Sequence, residues 1–94
     1  MTPLEKEIEA KLRKLVESRG GLCLKWVCPG WVGVPDRIVL LPGGRVIFVE
    51  TKRPKGGRVS PMQKWWARKL ALMGFCHWFI LDESHLACFE EHEL

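Results

Sequence analysis

"GVPDRIVLLPGGRVIFVETK", residues 33–52, decides how the chain is read. Two runs rich in Val and Ile flank Pro-Gly-Gly and spell a hairpin of well-buried strands. Both runs are apolar on both faces, which predicts central positions in a sheet. Yet Asp36 opens the first run, and Glu50 and Lys52 close the second. A buried carboxylate is costly unless it is paired or holds a cation. Turn length decides whether the two acids meet. A two-residue Gly43-Gly44 turn would set Asp36 opposite Thr51 and send Glu50 to the other face. A three-residue loop over 42–44 pairs Leu41 with Arg45, and therefore Asp36 with Glu50. Gly44 suits the left-handed position that such a loop requires.

Directly opposed residues have Cβ atoms about 4.5–5.5 Å apart. Carboxylates that close repel unless one protonates or a cation lies between them. A cation is the expectation here, and oxygen-only ligands suit Mg²⁺ or Mn²⁺. Glu50 and Lys52 project from the same side of their strand. A lysine there can orient an attacking water or offset charge on phosphorus. The chemistry this predicts is metal-assisted phosphodiester hydrolysis. The competing reading is plain: an Asp at a strand start and an E-x-K at a strand end also form ordinary surface pairs.

Outward from the hairpin, Thr2-Pro3-Leu4-Glu5 reads as a capping-box start to a helix, and Gly20-Gly21 ends it. Leu4, Ile8, Leu12, Leu15 and Val16 form its apolar stripe. Glu5 is the acid tilted most toward the sheet, with Glu9 next; Glu5 is also what a capping box wants at its third position. Residues 22–27 read as a strand and 28–35, with two Pro and two Gly, as a loop. Residues 36–41 and 45–52 are the hairpin strands, and 53–59 a basic, Gly-containing loop. Ser60-Pro61-Met62-Gln63 repeats the capping-box grammar, with Met62, Trp66, Leu70 and Met73 along one face and Gly74 as the stop. Residues 75–81 read as a strand and the tail from Ser84 as a short helix. The order is α-β-β-β-α-β with a possible closing α: a small mixed sheet flanked by helices, in one domain over 1–94.

The 94 residues carry 47% hydrophobic side chains, including five Trp, which describes a globular chain and hints at self-association. No apolar run is long enough to span a membrane and no signal peptide is evident, so the sequence reads as soluble and cytoplasmic. Cys23, Cys28, Cys76 and Cys88 form no CxxC pair and stand at no finger-like spacing from His77, His85 or His92, so packed, reduced thiols are expected rather than zinc ligands. Net charge is +4, unevenly spread. Residues 51–69 hold seven basic side chains and no acid, whereas residues 82–94 hold five acids and no Lys or Arg. A basic band suits a polyanion such as nucleic acid, or simply solvates a face. Arg37, Arg53, Lys55 and Arg58 flank the acids and are candidate phosphate contacts. Trp31, in the Gly/Pro loop, is a candidate for base stacking or for a subunit contact. Trp66 is expected in the core, and Trp65 and Trp78 at a subunit interface.

The ordered set of a helix acid, G-V-P-D (33–36) and E-T-K (50–52) resembles the PD-(D/E)xK nuclease superfamily. More narrowly it is similar to a stand-alone virus-type replication-repair nuclease (VRR-NUC) domain. E-x-x-I (5–8), P-G-x-x-G-V-P-D-R (29–37), L-P-G-G-R (41–45), F-V-E-x-K (48–52) and S-P-x-Q (60–63) carry the resemblance, which runs from residue 4 to about 82. It implies an α/β, restriction-endonuclease-like core and a Mg²⁺- or Mn²⁺-dependent deoxyribonuclease. Asp36 and Glu50 would ligate the metal together with the backbone carbonyl of Thr51. Lys52 would be the catalytic lysine, Glu5 the helix-borne acid, and Gln63 a residue that positions DNA or a ligand carboxylate. It also implies a homodimer that prefers branched or four-way-junction DNA. Thr51 departs from the pattern, in which an apolar residue is commoner, and its side chain is expected to point away from the metal. The alternative is a non-catalytic nucleic-acid-binding module or an accessory subunit on the same fold. A helicase or repair partner leaves no motif in the sequence.

Overall fold

The computed structural model describes residues 5–52 and 58–94. The expected start signals at Thr2, Pro3 and Leu4, and the candidate phosphate contacts Arg53 and Lys55, lie outside the described residues. In chain order the elements are α1 (Glu5–Ser18), β1 (Leu22–Lys25), β2 (Arg37–Leu41), β3 (Arg45–Thr51), α2 (Pro61–Leu72), β4 (Cys76–Ile80) and α3 (Glu83–Glu93). The four strands form one sheet in the order β1-β2-β3-β4. The first two pairings are antiparallel and β3–β4 is parallel, with α2 as the crossover. The α-β-β-β-α-β order and the mixed sheet agree with the sequence reading, and the two hairpin strands are the central ones. The tail helix α3 is longer than the sequence suggested, because Asp82 caps it, accepting from the His85 N–H at 2.9 Å.

The hairpin register is the one set by a three-residue loop. Leu41 pairs with Arg45, Val39 with Ile47 and Arg37 with Val49. Gly43 and Gly44 both sit at positive φ, +85° and +76°, a backbone open to glycine at no steric cost. Continuing the ladder by one step brings Asp36 alongside Glu50, although β2 itself begins at Arg37.

Strand alternation gives the sheet two unlike faces. On one, Cys23, Val39, Leu41, Ile47, Val49 and Ile80 pack against Ile8, Leu12 and Val16 of α1 and against Leu86 and Phe89 of α3. Ile8, Leu12, Val16, Val39, Val49, Ile80 and Phe89 are wholly buried. This is the hydrophobic core, and the α1 stripe is the one its sequence periodicity predicts. The other face carries Phe48 beneath an aromatic cluster. Trp26 packs on Phe48 with ring centroids 5.3 Å apart, and Trp66 meets Trp26, Trp31 and Trp65 edge to face.

Two expectations for that second face need correction. Of the α2 stripe only Leu70 is buried; Met62 and Met73 are exposed. Trp66 is half-buried rather than core, since its indole N–H donates to the Val32 carbonyl at 2.9 Å and ties the Gly/Pro loop to α2. The physical cause is shared: helix α2 packs on the sheet at β4 and leaves the β1–β2 half of this face open, so its stripe meets solvent on one side. Trp78, a candidate for a subunit interface, lies on the opposite, α3 side of the sheet, where it is half-buried edge to face on Phe89 and its indole N–H donates to Glu93 at 3.3 Å.

Candidate metal and phosphate site

Two loops and two helices bring the chemistry to one end of β3. The Gly/Pro loop is held against α2, where Gly33 sits at φ +81° and an added Cβ would lie 2.6 Å from the Cβ of Met62. Fully buried Pro35 then delivers Asp36 to the head of β2. From the opposite side, Glu5 and Glu9, one helical turn apart on α1, reach the same place. Carboxylate oxygens of Glu5, Glu9 and Asp36 come within 4.8 Å of one another, and all three residues are half-buried. The sequence ranked Glu9 behind Glu5; the structure brings both. Their i, i+4 spacing was the signal that both could point one way.

Thr51 overturns an expectation. Its side chain does not turn away from the acids but is buried among them. Its hydroxyl lies 2.8 Å from Asp36 Oδ2 and 3.0 Å from Glu9 Oε1, and its backbone N–H donates to Asp36 Oδ1 at 3.2 Å. The reason is alternation: Ile47, Val49 and Thr51 share the α1 side of β3, and a Thr fits where a larger apolar residue would crowd two carboxylates. A hydroxyl has one proton to offer, so it cannot donate to both acids at once. Burial, first, pushes the Asp36 carboxyl above its usual range; the Thr51 hydrogen bonds oppose this and the nearby Glu9 charge adds to it.

Glu50 points to the other side of the same strand. Asp36 turns its carboxylate toward Thr51 and α1, so the three residues expected on one face are divided: Glu50 and Lys52 remain together, with Lys52 Nζ 3.7 Å from Glu50 Oε1. The Asp36 link to Glu50 runs through the backbone, the Asp36 N–H donating to Glu50 Oε2 at 3.1 Å. Gln63 joins them. Its side-chain oxygen accepts from the Ser60 N–H at 2.9 Å in the capping box, and its Nε2 donates to Glu50 Oε1 at 2.7 Å. Gln63 thus closes the capping box and also hydrogen-bonds the Glu50 carboxylate. Glu50 is only 5% exposed, and burial, reinforced by the charge of Asp36 and opposed by Lys52, raises its pKa to about 7.

Arg37 lies beside the acids, its guanidinium 2.6 Å from Glu9 Oε2. Arg58 is exposed. Among the described residues, the arrangement sets four carboxylates at the end of one strand, two of them with raised pKa values, and places Arg37 and Lys52 against them. An all-oxygen donor set with more acids than protons to share fits a hard divalent ion.

The chain is similar to known proteins both in fold and in sequence. A solved structure described as a VRR_NUC domain superposes with a TM-score of 0.88 at 26% identity, covering 96% of this chain and 97% of that one. In sequence, the chain is 47% identical over 60 residues to "Putative nuclease p44" of Acyrthosiphon pisum secondary endosymbiont phage 1. That match takes in 64% of this chain and 59% of the phage protein's length. No family model matches the chain.

Proposed function

We propose that the protein is a divalent-metal-dependent nuclease that hydrolyses phosphodiester bonds in DNA. The observation that carries this reading is the convergence of Glu5, Glu9 and Asp36 beside a buried Glu50 that is paired with Lys52. Asp36 and Glu50 would hold the metal, with the Thr51 carbonyl, Glu5 and Glu9 as further oxygen donors. A bound Mg²⁺ or Mn²⁺ supplies Lewis acidity toward a phosphoryl oxygen and offsets the repulsion among the carboxylates. Lys52 offers its ammonium to the water or to charge developing on phosphorus. Gln63 fixes the Glu50 carboxylate through one oxygen and leaves it less free to rotate. Arg37, Arg53, Lys55 and Arg58 contact phosphates on either side of the bond that breaks.

The preferred substrate is branched DNA, four-way junctions included, and the acting species is a homodimer inside a prokaryotic or phage-infected cell. Two symmetric cuts call for two sites related by a two-fold axis. Exposed Leu22, Leu24, Leu40 and Val32, on and beside the open half of the sheet, supply apolar surface for self-association. The nuclease wording and phage origin of the relative support the same reading. The test is cleavage of linear, flap, fork and four-way-junction DNA with Mg²⁺, with Mn²⁺ and with EDTA. Metal-dependent cutting, strongest on branched substrates, is the expected result. If none of the substrates is cut with Mn²⁺, the enzyme reading fails and a non-catalytic DNA-binding module takes its place.

A further inference from the structure

On α1, Lys6, Glu9, Ala10 and Arg13 recur at i, i+3, i+4 and i+7 and so share one face of the helix. That face meets Cys23 of β1 and Arg37 of β2 to enclose a pocket of about 130 Å³. Three of the lining side chains are cations and one is an anion. Lys6 and Arg13 are exposed, and Arg13 reaches no closer than 3.8 Å to its helical neighbour Glu17. Arg37 is different: its Nε is buried and has no hydrogen-bond partner. A buried guanidinium N–H left unsatisfied is costly, and among the described residues no protein atom accepts from it. Glu9 is the wall between this pocket and the acid cluster. One of its oxygens faces Thr51 at 3.0 Å and the other faces Arg37 at 2.6 Å.

We propose that this pocket is a second phosphate subsite, holding a backbone phosphate of the nucleic acid next to the one at the acid cluster. The inference rests on the nuclease reading for its ligand and extends it to two residues, Lys6 and Arg13, that the motifs do not mark. The pocket gathers three cationic side chains, Lys6, Arg13 and Arg37, around one concave site. The anionic wall, Glu9, sets a condition. Its charge opposes a phosphate while it faces the pocket alone, so a cation on its other side favours filling of the pocket. Binding of metal and binding of this phosphate are therefore mutually reinforcing.

The test is the salt dependence of binding. A fluorescein-labelled DNA duplex is titrated by anisotropy in Ca²⁺ and in EDTA, with wild type, Lys6→Ala, Arg13→Ala, the double variant and Lys14→Ala. Lys14 is an exposed cation of the same helix that lines a different cleft, with Leu15 and Leu86, and serves as the control. Each pocket variant is expected to weaken binding by about three- to tenfold and to lower the slope of log K against log salt by roughly one. Lys14→Ala should leave the slope alone, and the pocket effect should be larger in Ca²⁺ than in EDTA. Equal responses from Lys14→Ala and the pocket variants would reduce the effect to general charge and overturn the proposal. So would inorganic phosphate that binds in a Lys6- and Arg13-dependent way while the DNA slope does not respond, since the occupant would then be the free anion. Cleavage in Mn²⁺ is followed on the same samples. A slope change without any cutting overturns the nuclease reading and leaves the subsite standing; cutting without a slope change does the reverse.

Discussion

The two faces of the sheet do different work. The α1 side is covered by α1 and α3, buries the hydrophobic core and terminates in Thr51, Asp36 and Glu9. The α2 side is half covered, lined with tryptophan, and terminates in Glu50, Lys52 and Gln63. The same strand, β3, supplies both endings from successive residues. The lesson is that burial on one side fixes where the strand ends, and the looser side then has room to bring a helix start and a lysine to the adjacent carboxylate. The site depends on the rigid face for position and on the open face for access.

Substitutions separate these contributions. The largest effect is expected at the chemistry: Glu50→Ala or Lys52→Ala should lower single-turnover cleavage by about 10³-fold or more, ~4 kcal/mol of barrier. DNA affinity measured in Ca²⁺ should stay within a few fold. Retained cutting by both variants would move the reacting centre away from the α2 side. Next, Phe89→Ala on the closed face should destabilise the fold by about 3–5 kcal/mol at any protein concentration, whereas Leu24→Ala on the open face should cost no more than about 0.5 kcal/mol at concentrations where the chain is monomeric and more where it self-associates. Urea denaturation at low and high protein concentration distinguishes them, and a Leu24→Ala loss that stays small at high concentration would argue against a subunit contact on the open half of the sheet.

A smaller effect belongs to the joint between the faces. Gly33→Ala places a side chain at φ +81° and against Met62, for about 1–3 kcal/mol. It should also lower kcat more than substrate affinity, because the loop carries Asp36 and α2 carries Gln63. An unchanged kcat would uncouple the loop from the site.

A further expected effect is a pH dependence of metal-free stability. The folded pKa of Glu50, about 7, lies above its unfolded value of 4.5, so its contribution is full below pH 4.5 and is lost as pH rises through 7. On the other face of that logic, His77 is lowered by burial from 6.5 to about 4, and its contribution is present above pH 6.5 and lost as pH falls through 4. In EDTA, Glu50→Gln should remove the decline on the alkaline side and His77→Gln the decline on the acid side. Mg²⁺ or Mn²⁺ added at pH 8 should raise the melting temperature of the wild type and do less for Glu50→Gln. A metal-insensitive wild type would argue against a cation at this end of β3.

Much of this was legible from residue order. Strand and helix periodicities are local, and so is the loop length that sets Leu41 against Arg45; the sequence therefore yields the chain order of the elements, the central place of the hairpin and the approach of Asp36 to Glu50. Capping at Ser60 and Gln63 is local too. The direction of the Asp36 carboxylate is not. It depends on Pro35 and on a loop docked by Gly33 and Trp66, contacts between segments far apart in the chain. Thr51 was misjudged for a related reason: alternation correctly puts it opposite Glu50, but only the position of α1 shows that acids await it there. The partial exposure of Met62 and Met73 likewise reflects where α2 lands on the sheet, which no stripe of apolar residues can announce.

Gln63 carries one last consequence. The same side chain completes the first turn of α2 and holds a Glu50 oxygen, so fraying of that turn and release of the carboxylate are a single motion. Amide exchange at the start of α2 would then report, residue by residue, how often the site comes apart, and a ligand that steadies Glu50 should slow exchange in a helix it never touches.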